Sequence, residues 1–206
     1  MRGNGTLDGR QIKVERIFRY IGFMIPGLIA GSLLFLLLLY PRRKRLTAQG
    51  VRSEMLREAV ICIFWIYCGG MAVITLVPEP GWVLFALRGD EGLMPYFDLG
   101  GLSYRISLVP FSQLDSLFNI AGNIVMFLPF GFFAALLWRK FNWKRALALG
   151  LGITCFIECW QLLVGRTSDI DDIILNTLGV FCGYLLWALL RKLAPAFTKR
   201  FHVWEV

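Results

Sequence analysis

Apolar residues along this chain come in long blocks separated by short charged stretches, and five of the blocks reach the length of a membrane crossing. A spanning helix needs roughly 20 mostly apolar residues. The blocks run approximately from Tyr20 to Tyr40, Ala59 to Val77, Asn119 to Trp138, Ala146 to Val164 and Ile173 to Leu190. This pattern predicts an all-α fold, a polytopic transmembrane helix bundle of about five spans. After the second span, Pro78, Pro80, Gly81, Gly89, Gly92, Pro95, Gly100 and Gly101 break any continuous helix. An irregular external segment is expected there, lying along the interface with Trp82, Phe85, Tyr96 and Phe97 as anchors.

The first block is too long for a secretory signal, and Pro41-Arg42-Arg43-Lys44-Arg45 follows it where a cleavage pattern of small residues would stand. It reads as a retained span. Pro26, Gly27 and Gly31 near its middle leave a re-entrant hairpin as the alternative. The expected organisation is a basic N-terminal tail (1–19), two spans joined by a basic loop (20–77), the external segment (78–103), a three-span domain (104–190) and a basic C-terminal tail (191–206).

Composition agrees with the block pattern: 57% of residues are apolar and 15% aromatic, with a mean hydropathy of +0.61, above what a soluble core requires. The net charge of +8 could suggest a nucleic-acid partner, but the cations cluster just outside the apolar blocks. That placement is the habit of a membrane protein, so nucleic acid is excluded as a partner and membrane lipids are expected. Arg42 to Arg45, Arg139 to Arg145 and Arg191 to Arg200 mark cytoplasmic segments, whereas 78–118 and the loop from Arg166 to Asp172 are acidic and expected outside. The C-terminus is then cytoplasmic. The cations of the N-terminal tail fit that scheme least well, leaving its side open.

All five cysteines, Cys62, Cys68, Cys155, Cys159 and Cys182, fall within predicted spans, and the single histidine, His202, is in the tail. Neither a disulfide framework nor a metal site follows from this arrangement; packing explains the cysteines.

The informative chemistry lies in the last three spans. Asn119 and Asn123 share a face of the third; Gly150, Thr154, Glu158, Gln161 and Gly165 form a stripe on the fourth; Asp172, Asn176, Gly179 and Gly183 form one on the fifth. A charged group inside a span costs roughly 2.5–3.5 kcal/mol on insertion scales, so such residues face protein or water. Small residues let helices approach, and the amides and carboxylates can hydrogen-bond between them. Asn123, Glu158, Gln161 and Asn176 should therefore meet in the outer half of the membrane, below Arg166, Asp169, Asp171 and Asp172. Interhelical hydrogen bonding alone would account for the amides. Capping of the fifth helix would account for Asp171 or Asp172, and Arg166 is a candidate partner for Glu158.

Leu108-Val109-Pro110-Phe111, Asn119 and Asn123 leading into Phe127-Leu128-Pro129-Phe130-Gly131, Glu158 with Gln161, and Arg166 to Asp172 followed by Asn176, Thr177 and Gly179 resemble the VanZ-like family over about residues 104 to 190. The family often has Gly-Gly after Asn-Thr, where this chain has Gly179-Val180. The resemblance implies a multi-pass protein of the bacterial cytoplasmic membrane. Its named member lowers susceptibility to teicoplanin, a lipoglycopeptide, without the precursor remodelling that defeats vancomycin.

Three functions are open at this point. The first is non-enzymatic binding of an amphiphile, a lipoglycopeptide or an envelope glycolipid, by Arg105, Asn119, Asn123, Glu158, Gln161, Arg166, Asp169, Asp172 and Asn176. The second is an intramembrane enzyme with Glu158 as general acid or base and a divalent cation on Asp169 and Asp172; no Ser-His or Cys-His arrangement accompanies it, and no cofactor is expected. The third is a small proton-coupled transporter. Oligomeric state is not encoded in these patterns.

Overall fold

The computed structural model describes residues 9–77, 106–110, 117–201 and 204–205. The external segment 78–103 and Arg105 lie outside the described residues. Five helices are long and apolar enough to cross a membrane: α1 (Gly9–Ala48), α2 (Met55–Leu76), α3 (Leu117–Leu137), α4 (Trp143–Leu163) and α5 (Ile170–Leu193). A short α6 (Pro195–Lys199) follows. Two-residue strands complete the described elements: β1 (Val51–Arg52), β2 (Ile106–Ser107), β3 (Ser168–Asp169) and β4 (Trp204–Glu205).

The re-entrant alternative for the first block is not what forms. One helix, α1, runs straight through Pro26 and Pro41, and the glycines that suggested a turn are a contact surface instead. A Cβ on Gly27 would collide with the Gly69 carbonyl of α2, and one on Gly69 with the Gly27 carbonyl. The small residues bring two backbones together, as they do in membrane helix pairs generally.

α5 lies between α3 and α4, and α2 closes the bundle by touching both α3 and α4, with α1 packed on its far side. The α3–α5 contact is the tightest: a Cβ on Gly179 would meet the Ile124 carbonyl, and one on Gly183 the Leu128 carbonyl. Met71, Phe127, Ala146, Ile157 and Val180, one or two from each of the four helices, form the central apolar cluster.

The basic C-terminal tail does not hang free. Phe201 is buried against Trp187, Ala135 and Leu136, and Trp204–Glu205 pairs antiparallel with Val51–Arg52 of the α1–α2 connection. At the opposite end, β2 pairs in parallel with β3, aligning Ile106 with Ser168 and Ser107 with Asp169.

Candidate functional site

α2 ends where Pro78 follows Val77, because the residue before proline avoids the helical region. The last carbonyls of a helix have no partner within it. Here side chains of α4 and the loop beyond it take them: Trp160 Nε1 donates to the Leu76 carbonyl at 2.6 Å, and Gln161 Nε2 to the Thr75 carbonyl at 3.1 Å. Arg166 donates to the same Thr75 carbonyl at 3.4 Å, a cation placed favourably at the negative end of a helix dipole. The expected pairing of Arg166 with Glu158 is therefore replaced by a helix-end contact.

Glu158 faces its own following loop. Its carboxylate accepts from the Asp169 backbone N–H at 3.1 Å, with the Ser168 side chain beside it. Asp169 closes α4's loop and opens α5: its backbone is extended, at φ −127° and ψ 132°, and its side chain accepts from the Asp171 N–H at 2.9 Å. The N-cap is thus Asp169 rather than Asp171 or Asp172. The reason is that an N-cap needs non-helical backbone, and both later acids already sit in the first turn, where a negative charge suits the helix dipole.

Two further bonds join the helices. Asn123 of α3 donates its amide to the Asp172 carboxylate of α5 at 2.5 Å, and Asn176 of α5 donates to the Thr154 hydroxyl of α4 at 3.2 Å. The Arg166 charge also acts on Asp172, opposed by those of Asp169 and Asp171. Glu158, Gln161, Asp169, Asp171 and Asn176 are buried, while Asn123, Arg166 and Asp172 are half-buried. Of the residues expected at the site, these come together at one end of the bundle. Asn119 is exposed at the start of α3, and Arg105 lies outside the described residues. No group of three His, Cys, Asp or Glu side chains suited to a metal ion occurs among the described residues.

Thr75, Asn123, Gln161 and Asn176 make a polar tier across α2, α3, α4 and α5. Four residues deeper on each helix, one turn away, stand Met71, Phe127, Ile157 and Val180, all buried. These four pack as one buried apolar cluster, with the buried Thr154, bonded to Asn176, beyond Ile157 on α4.

Sequence reasoning missed the contribution of α2. Its side chains carry little polarity there, and its backbone carbonyls do the work. The one available signal was the helix end imposed by Pro78.

A family model described as VanZ/LLP1 matches residues 64–191, beginning within α2 and so including the half of that helix that meets the polar tier. Protein VanZ of Enterococcus faecium is 32% identical over 125 residues, covering 60% of this chain and 74% of that relative. No solved structure gives a significant match. A domain of α3, α4, α5 and the distal half of α2, carried on five membrane-spanning helices, belongs to the VanZ-like family, and this chain is a member of it.

Proposed function

We propose that the polar tier engages the head of an amphiphile at the membrane face bearing the Arg166–Asp169 loop, and that this binding contributes to glycopeptide resistance or envelope homeostasis. The observation that carries the reading is the set of interhelical polar bonds gathered at one end of the bundle, over a buried apolar cluster. A polar end floored by Met71, Phe127, Ile157 and Val180 suits a head group that enters and stops. It is poorly suited to passing a proton or solute across, which favours binding over transport.

The half-buried groups Asn123, Asp172 and Arg166 are the ones that would meet the head. Glu158 and Asp169 hold the loop in place, and Asn119 would contact the ligand from the start of α3. Glu158 already accepts a backbone N–H, so a positioning role for it is more economical than general acid–base catalysis. Lipid-exposed faces of α3, α4 and α5 would sheath an acyl chain. The VanZ-like resemblance makes a lipoglycopeptide such as teicoplanin the first ligand to try, with an envelope glycolipid next.

Susceptibility of cells with and without this protein, measured for teicoplanin and vancomycin in parallel, tests the reading. A selective loss of teicoplanin susceptibility that Asp172→Asn and Asn123→Ala abolish is the expected outcome. Equal shifts for both drugs, or none for either, would overturn the teicoplanin assignment.

A further inference from the structure

The second concentration of buried charge lies at the opposite end of the bundle, before the family-matched region begins. Arg42 near the end of α1 forms an ion pair with Glu58 in the first turn of α2. Arg57, beside it, is only 8% exposed. Its guanidinium donates to the Ser53 hydroxyl at 3.4 Å and to the Leu137 carbonyl, the last of α3, at 3.5 Å. Both bonds are long, and both acceptors are neutral. The charges of Arg42 and Glu58 both act on Arg57, in opposite senses. Three of the buried side-chain atoms without a partner fall in this one cluster: Arg42 Nη2, Arg57 Nε and Glu58 Oε1.

Rotating side chains can reassign those three atoms but cannot change the charge count. Among the described side chains one carboxylate, Glu58, serves two guanidinium groups, and Glu54 is exposed and pairs with Arg200 at 3.8 Å. One positive charge therefore has no counter-charge among the described side chains. A buried charge left unpaired is costly, so a counter-ion is expected from outside the chain.

The position of the cluster identifies the counter-ion. Arg42 and Arg57 flank the α1–α2 connection, where the spans Met24–Ala48 and Met55–Leu76 meet the aqueous boundary. Guanidinium forks match phosphate oxygens two at a time. We infer that Arg42 and Arg57 hold the phosphate of an anionic lipid headgroup at the membrane face opposite the polar tier. The bound phosphate supplies the missing negative charge and joins the α1–α2 pair to the end of α3.

Thermal unfolding of the full chain in an uncharged maltoside detergent tests this, with phosphatidylglycerol, diacylglycerol and inorganic phosphate as the added probes. Phosphatidylglycerol is expected to raise the midpoint of the wild-type protein, and diacylglycerol to leave it unchanged. Arg57→Gln and Arg42→Gln each lose most of that shift, whereas Arg139→Gln, an exposed cation at the same end, keeps it. Each shift is read against the same variant without lipid, so a lower starting stability does not hide it. Native mass spectrometry of the wild-type protein gives a readout that needs no variant: phosphatidylglycerol is retained at a collision energy that strips diacylglycerol. An equal shift with diacylglycerol, or an undiminished phosphatidylglycerol shift in both arginine variants, overturns the site. An equal shift with inorganic phosphate overturns the lipid as its source.

Discussion

Asn123 on α3 and Asp172 on α5, 49 residues apart in sequence, share a hydrogen bond of 2.5 Å within the span region. Asn123 adjoins Ile124, whose carbonyl Gly179 approaches closely about two turns along α5 from Asp172, so the close contact and the polar contact support each other. A double-mutant cycle with Asn123→Ala and Asp172→Ala, read by thermal unfolding, is expected to give a coupling of about 0.5–1.7 kcal/mol, the range of interhelical bonds in membrane proteins. Additive effects would mean that the bond contributes nothing to the fold.

Glu158 separates structure from charge. Glu158→Gln keeps an acceptor for the Asp169 N–H and should leave the unfolding midpoint close to that of the parent chain. Glu158→Ala leaves that buried N–H unsatisfied and is expected to cost about 1–3 kcal/mol. Similar losses for the two variants would show that the negative charge, rather than the acceptor, is what the loop requires.

The three acids of the loop should differ in their effects. Asp169→Ala removes the N-cap of α5 and is expected to destabilise by about 1 kcal/mol. Asp171→Ala leaves that cap in place and removes a first-turn charge, whose interaction with the helix dipole is worth about 0.3–1 kcal/mol. If Asp171→Ala were the more damaging, capping would not be the main contribution of Asp169.

Glycines on α5 and α4 give a sharper contrast. Gly183→Ala drives a methyl into the Leu128 carbonyl of α3 and is expected to cost about 1–3 kcal/mol or to prevent assembly. Gly152→Ala on α4 meets no neighbouring atom, and should be neutral or stabilising by about 0.5–1 kcal/mol, since alanine is the better helix former. Unfolding in detergent compares the two directly.

Sidedness has a defined experiment. Ser168 is buried, whereas Thr167 and Lys140 are exposed at opposite ends of the bundle. The charge distribution predicts that Thr167→Cys reacts with an impermeant thiol reagent on intact cells and Lys140→Cys only after permeabilisation. The reverse result would invert the topology and move the polar tier to the cytoplasmic side.

The sequence by itself determined the five spans, because length and hydropathy are local properties that need no knowledge of neighbours. It also determined which faces of the last three helices carry polar groups, since a 3.6-residue period fixes that from spacing alone. Asn123, Glu158, Gln161 and Asn176 were legible for this reason. Tertiary structure decided the partners. Any carbonyl can accept a hydrogen bond, so nothing in the residues Thr75 and Leu76 announces that α4 will take theirs; only the helix crossing makes them the free ones within reach. The same holds for Arg57, which reads as one more cation in a basic loop until packing buries it beside Arg42 and leaves two guanidinium groups to one carboxylate. Spacing along a chain tells which side chains share a face, but charge balance and the pairing of backbone groups depend on distances between helices, and folding sets those.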